Sequence, residues 1–148
     1  LRSYATETSI SDTYDDGTNG TYPIMGYSAN ALQNNDSLKN ITLGANISAY
    51  DPTAFSSCWS LETFDASASS ITEIGLSSFT GLTSLTTVKL PKGIVSISHN
   101  AFESCSNLST ILYEGMVSEW SNVYLRTNAF SGVDAGHVTC SDGNVAIA

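Results

Sequence analysis

The chain has 148 residues, of which 41% are hydrophobic and only 13% charged, and its net charge at pH 7 is −9. This length and hydrophobicity suit one domain with its own core, covered mainly by Ser, Thr and Asn because charged residues are about half as frequent as usual. Five Lys and Arg against 14 Asp and Glu disfavour phosphate backbones, so we exclude nucleic acid as a partner. No stretch approaches the roughly 20 apolar residues of a membrane span, so no membrane insertion is expected of this fragment.

The first residues carry no recurring apolar spacing and are rich in Ser, Thr and Asp. We interpret residues 1–21 as an N-terminal linker or the worn edge of an upstream repeat. The acidic run from Asp12 to Gly17 invites comparison with a calcium loop. With Asp12 at position 1, however, Tyr14 and Pro23 fall at positions 3 and 12, where oxygen ligands are required. We therefore predict no calcium site. Because the chain begins at Leu1 without an export signal, we expect it to be a fragment whose targeting segment was removed.

Apolar residues recur every 23 or 24 residues in residues 22–148, which we interpret as the repeat domain. Each unit is too small to bury its own apolar edge and must stack on its neighbours, so a fixed period in the twenties predicts a solenoid. Four units are legible: Leu32, Leu38, Ile41, Leu43 and Ile47; Phe55, Leu61, Phe64, Ile71 and Ile74; Phe79, Leu85, Val88, Leu90, Ile94 and Ile97; Phe102, Leu108, Ile111 and Tyr113.

The spacing within a unit predicts its backbone. Val88 and Leu90 alternate with polar residues, as in a strand with one buried face. Pro91 to Gly93 form a turn, a second short strand follows at Ile94, and residues 98–105 suit a helical turn held by packing. Each coil is therefore a strand, a turn, a short strand and a helical turn, and like strands of successive coils are expected to pair in parallel.

The pattern from Leu90 onward resembles a known family. The phrase Ala101-Phe102-x-x-Cys105-x-x-Leu108-x-x-Ile111, preceded by Leu90-Pro91-x-x-Ile94-x-x-Ile97, is similar to the BspA-type leucine-rich repeat of bacterial and protozoan surface proteins. The resemblance covers residues 22–143. It implies an α/β, strand-rich leucine-rich repeat solenoid on an exported or surface-anchored protein, with adhesion or protein binding as its role and no enzyme activity.

The repeat spacing breaks after Tyr113. Trp120, Val123, Leu125 and Phe130 supply apolar bulk without another full period, which predicts an irregular C-terminal cap from about residue 114. The tract from Tyr113 to Trp120 is also similar to the irregular repeat that often ends arrays of the family. Val138 and Cys140 are expected to face inward in a final strand.

The three cysteines do not form an obvious disulfide. Cys58 and Cys105 occupy the same slot two coils apart, so at about 4.8 Å per coil their Cα atoms lie roughly 9 to 10 Å apart, beyond disulfide reach. We predict buried structural thiols. His137 and Cys140 lie three apart on a predicted strand and face opposite sides, so no metal site is expected. No catalytic motif or cofactor signature is present, and we predict that the chain is not an enzyme.

Two columns of residues are predicted to face outward from the paired strands. One contains Asn40, Thr63, Thr87 and Thr110, and the other contains Thr42, Asp65, Lys89 and Leu112. These side chains are candidate partner contacts, although Thr is also simply a good strand former. Trp59 stands in an otherwise polar column. It either packs on an irregular second unit or is an exposed contact residue.

These observations leave two functions open. The first is a non-enzymatic recognition module, extracellular or at the cell surface, that binds a host or neighbouring-cell protein or a glycan. The alternative is a structural spacer or terminal capping segment of a longer repeat protein with no ligand of its own. A monomer without cofactors is expected in either case. Five Asn-x-Ser/Thr sequons, at Asn19, Asn35, Asn40, Asn46 and Asn107, add little, because about three are expected by chance in so Ser- and Thr-rich a chain.

Overall fold

The computed structural model describes residues 31–147 in full and, before them, the backbone of four short strands. Strands β1 to β7 span Glu7–Ser9, Thr13–Asp15, Thr21–Pro23, Gly26–Tyr27, Asn40–Thr42, Ala49–Tyr50 and Thr63–Asp65. Strands β8 to β11 span Glu73–Ile74, Thr87–Leu90, Ser96–Ile97 and Thr110–Tyr113. They are followed by helix α1 (Val117–Trp120) and strands β12 (Tyr124–Leu125), β13 (His137–Cys140) and β14 (Gly143–Ala146).

A seven-stranded sheet in the order β1-β5-β7-β9-β11-β13-β14 forms one side of the solenoid. Its strands are parallel except for the last pair, and Thr63 pairs with Thr87, which pairs with Thr110. Strands β8, β10 and β12 form a second parallel sheet. The predicted strand-rich solenoid of 23–24-residue coils is therefore confirmed. Where helical turns were expected, the inner coils contain runs of hydrogen-bonded turns.

A left-handed residue recurs at the same place in the turns of each coil. The column consists of Asn34, Ser57, Gly81, Ser104 and Gly132, with φ between 59° and 77°. The left-handed region costs about 1–2 kcal/mol for a residue with a Cβ, so Gly and Asn are the favoured occupants. At Ser57 and Ser104 the coil must impose this conformation through its packing and its hydrogen bonds to the next coil.

Aromatic stacking lines up the coils from within. The ring of Phe79 lies 5.9 Å from that of Phe55 and 5.2 Å from that of Phe102, and Phe102 lies 5.5 Å from Phe130, with interplanar angles of 10°, 3° and 2°. We call these four residues the phenylalanine stack. They form part of one continuous core with aliphatic residues of both sheets and of the turns. These include Ile41, Val88 and Ile111 of the main sheet, Ile74 and Ile97 of the second sheet, and Leu38, Leu61, Leu85 and Leu108 in the turns. Each coil thus buries its apolar edge against its neighbours, as a solenoid requires.

The 23–24-residue spacing breaks after Tyr113, as expected, but the apolar residues beyond it do form a further coil. Strand β12 pairs with β10, Phe130 continues the phenylalanine stack, and β13 pairs with β11 through Leu112 and Thr139. One more coil therefore follows, and it is longer because it contains α1. The backbone N–H of Val117 at the start of α1 donates to Asp142 Oδ1 at 2.7 Å, so the helix is bonded to the C-terminal hairpin.

The apolar residues of this last coil divide between core and surface. Trp120, Val123 and Phe130 are buried, as are Val138 and Cys140, which face inward as predicted. Leu125 is 44% exposed, contrary to our expectation that it fills the cap. It pairs with the buried Ile97 in the register of the second sheet, but no further strand of the described chain lies beyond it in that sheet. Strand β14 then turns back antiparallel to β13 and forms the last strand of the main sheet.

At the other end, β1 pairs in parallel with β5, and β2 pairs antiparallel with β3. The interpretation of residues 1–21 as a linker or a worn repeat stays a prediction. The question of a calcium site between Asp12 and Gly17 lies outside the described residues.

The stacking predicts the cost of removing a core side chain. Leu85 is fully buried between two coils, so we expect Leu85→Ala to lower the free energy of unfolding by about 2–5 kcal/mol, measured by urea denaturation. The neighbouring Thr86→Ala is the control, because Thr86 is exposed and its change should stay below about 1 kcal/mol. Similar losses at both positions would show that the inward and outward faces are misassigned.

The left-handed column predicts a second difference. A Cβ added at either Gly81 or Gly93 would meet no atom within 4 Å, but only Gly81 has a positive φ, of 72°. We therefore expect Gly81→Ala to destabilise the fold by about 1–2 kcal/mol, while Gly93→Ala is neutral or slightly stabilising. Thermal unfolding of the two variants in parallel measures the difference. Equal melting temperatures would mean that the coil does not enforce the left-handed conformation.

Candidate interaction surface

The six strand residues predicted as partner contacts lie on one face of the main sheet. The register places Thr63, Thr87 and Thr110 in one row and Asp65, Lys89 and Leu112 in a second. All six are half-buried, because they alternate along each strand with core residues. We call this surface the outward face. Adjacent strands of a sheet lie about 4.8 Å apart, so the face presents side chains on a regular and rigid grid.

Ion pairs between coils neutralise the charges on and beside the outward face. Lys89 Nζ lies 3.6 Å from Asp65 Oδ2 within the second row. Lys39 Nζ lies 3.1 Å from Glu62 Oε1 next to the first row. The other carboxylate oxygen of Asp65 accepts hydrogen bonds from the backbone N–H of Ser67 at 3.0 Å and from its hydroxyl at 2.6 Å. The face is therefore polar but close to electrically neutral, although the whole chain is strongly acidic.

The cations of the described region are all occupied by neighbours. Besides Lys39 and Lys89, Lys92 pairs with Glu119 at 3.0 Å. The Arg126 guanidinium lies over the ring of Tyr124, 4.3 Å from its centroid. A phosphate or sulfate group would have to break one of these contacts in order to bind. This arrangement agrees with the acidic composition in disfavouring polyanionic partners.

Trp59 lies apart from the six strand residues. It is in the turn before β7, and 53% of its surface is exposed, so the alternative in which it packs into the second unit is wrong. The sheet register does not bring it into either row of the outward face. A large exposed aromatic side chain remains suited to contact with a partner.

Further exposed apolar residues were not predicted. Leu76, Val95, Met116, Tyr124 and Leu125 are each at least 44% exposed. The sequence contained a signal for one of them, because Leu76 aligns with Pro52 and His99 in a turn column that accepts any residue type. The exposure of Tyr124 and Leu125 has no such signal, since it depends on their place in the last strand of the second sheet.

Two cavities lie outside the outward face. The larger, of about 520 Å³, is at the C-terminal end of the solenoid. The smaller, of about 360 Å³, is beside Tyr50 and Leu76. Burial raises the pKa of Tyr50 to about 12, and its hydroxyl donates to Ser78 Oγ and accepts from the backbone N–H of Gly75. Tyr50 is thus a neutral structural group at physiological pH.

The described part of the chain contains no group of three or more His, Cys, Asp and Glu residues that could hold a metal ion. His99 and His137 are both exposed. Within the same residues, no helix is long and apolar enough to cross a membrane.

All three cysteines are buried free thiols, as predicted for Cys58 and Cys105. Each of these two thiols donates to a backbone carbonyl of the preceding coil, Cys58 to Leu32 at 3.1 Å and Cys105 to Phe79 at 2.9 Å. Burial raises the pKa of the Cys105 thiol to about 11. Because the thiolate is the reactive form, these cysteines are structural and connect one coil to the next.

Comparison with known proteins agrees with this geometry. A family model described as a BspA type leucine rich repeat region matches residues 27–135 in six copies. The match begins at residue 27, before the first of the four units read from the sequence, and ends at residue 135, within the last coil. No curated protein and no solved structure matches the chain.

The buried thiols predict a pH dependence. Since the pKa of Cys105 is higher in the folded protein than the ordinary 9.0, its contribution to stability is complete below pH 9 and is lost as the pH rises toward 11. We expect the free energy of unfolding to fall more steeply over this range in the original chain than in Cys105→Ala. Native Cys105 should also react slowly with a thiol reagent and rapidly in denaturant. Parallel pH profiles for the two proteins would contradict the assignment.

Proposed function

Because the chain belongs to the BspA-type leucine-rich repeat family, whose members are typically associated with the cell surface, we propose that it is an extracellular or surface recognition module. It binds a protein or a glycan through the outward face and has no enzyme activity. The observation that carries this proposal is the grid of half-buried polar side chains on the face that each coil extends by one strand. Such side chains lose little entropy when they bind, because their backbone is already ordered.

The chemistry of the face specifies the kind of partner. Three threonine hydroxyls in one row can both donate and accept hydrogen bonds. The second row offers the Asp65–Lys89 ion pair at 3.6 Å and then the apolar Leu112. A neutral partner rich in hydroxyl or amide groups fits this surface better than a strongly charged one, because it leaves the ion pair in place. Trp59 extends the contact beyond the sheet with an exposed aromatic ring.

The same features predict a weak contact for each copy. The face is shallow and polar, so water stays at the interface, and an exposed ion pair adds little free energy. We therefore propose a monomeric module that acts multivalently. Linking binding sites raises avidity by about 10²–10⁴-fold without any new contact.

The experiment compares the monomeric chain with a tetravalent display on the same cell surface or glycan array. We expect clear binding by the tetramer and weak binding by the monomer. Thr87→Arg and Leu112→Arg should each reduce the tetramer's binding at least about tenfold, because a long cation replaces a short side chain at the centre of the contact.

Matched controls lie on the other sheet. Thr72→Arg and Val95→Arg place the same cation on exposed residues beside β8 and β10, so their binding should equal that of the original chain. If all four variants bind alike, or if the tetramer binds nothing, the module is better explained as a structural spacer.

A further inference from the structure

The larger cavity is an open groove at the C-terminal end of the stack. We call it the end groove. Its apolar lining includes Val123, Leu125, Phe130, Val138, Val145 and Ile147. On the strand side, β14 already pairs with β13, so a complete further coil has no room there. On the turn side of the last coil, no other segment of the described chain is hydrogen-bonded to the exposed edge.

In the inner coils, the backbone of the turn segment is hydrogen-bonded to the next coil. In two of the inner coils, three N–H groups of the turn segment donate to three carbonyls of the following coil. The pairs are Ser77 to His99, Phe79 to Ala101 and Gly81 to Glu103 at 3.0, 2.9 and 2.8 Å, and Asn100 to Thr127, Phe102 to Ala129 and Ser104 to Ser131 at 3.2, 2.9 and 2.8 Å. The turn segment thus presents a regular row of donors that a neighbouring backbone satisfies.

In the last coil, the equivalent N–H groups belong to Asn128, Phe130 and Gly132. None of the three has a hydrogen-bond acceptor among residues 31–147. Asn128 and Phe130 line the end groove. Unpaired backbone donors are costly unless water or another chain satisfies them, so this row is a ready template for a polypeptide backbone.

The apolar lining of the groove adds to the template. Phe130 is the last member of the phenylalanine stack, and 7% of its surface is exposed. Among the described residues that line the groove, the charged one is Arg126, whose guanidinium lies over the ring of Tyr124. The row of N–H donors favours carbonyl groups as ligands.

We propose that the end groove binds a peptide segment of another protein in the turn conformation of this fold. The segment supplies three carbonyls at alternate residues to Asn128, Phe130 and Gly132. It also supplies an aromatic side chain to the apolar wall of the groove beside Phe130. A turn segment of the same repeat type has these features. Residues 99–103 of this chain are an example, with the carbonyls of His99, Ala101 and Glu103 and the ring of Phe102.

The test uses a synthetic peptide with the sequence of residues 98–106 and Ser in place of Cys105. It is titrated into the ¹⁵N-labelled chain. We expect the largest amide shifts at Asn128, Phe130 and Gly132, together with slower hydrogen exchange at these three amides. The same peptide with Phe102→Asp should bind at least about tenfold more weakly, since it lacks the stacking ring.

Variants of the chain locate the site. Leu125→Arg places a long cation on the exposed wall of the groove and should weaken the peptide at least about tenfold. Leu76→Arg is the matched control, because Leu76 is also exposed, at 58% against 44% for Leu125, but lies on another coil, and it should bind as the original chain does. Unchanged thermal melting of both variants shows that the fold is intact.

Three results would overturn the proposal. The first is an absence of amide shifts at saturating peptide, and the second is a set of shifts confined to the outward face. The third is concentration-dependent self-association that Leu125→Arg abolishes, which would assign the groove to a second copy of the chain.

Discussion

The structure depends on hydrogen bonding between the backbones of successive coils. Each coil pairs its strands and its turn segment with the next one, so neither half of a coil can form without a neighbour in the correct register. The left-handed residue and the phenylalanine stack both follow from this constraint. The left-handed residue lies in the turn segment whose alternate N–H groups bond to the next coil, and the phenylalanine stack fills the interior between the coils. Short strands and isolated turns, which are unstable alone, become stable only as members of the stack.

Most of the fold could be predicted from the sequence because the core repeats from coil to coil along a single axis. Phe79 and Phe102 occupy the same slot of successive coils and stack on each other, so the position of such a residue in one unit predicts its position in the next. Where this equivalence fails, so did the prediction. The insertion of α1 lengthens the last coil, and the sequence spacing therefore hid the fact that Phe130 continues the stack. Leu125 occupies an inward column, but no further strand of the described chain lies beside it, and no periodic pattern contains that information.

The candidate surface was predictable to a similar extent. Strand alternation places Thr87 and Lys89 outward, and the period places them beside Thr63 and Asp65. The ion pair that makes the face nearly neutral was not predicted, since it depends on the rotamers of long side chains. The exposure of Trp59 also could not be decided, because it lies in a turn where the periodic pattern imposes no direction on the side chain.

The sameness of the phenylalanine stack also has an evolutionary consequence. Phe79 and Phe102 each stack on one ring in the preceding coil and one in the following coil, at interplanar angles of 10° or less. A genetic duplication or deletion of one whole coil would preserve this stacking. The same event would add or remove one strand, with its outward residues, from the main sheet. Recombination between repeats can thus lengthen or shorten the exposed surface while the stack is kept.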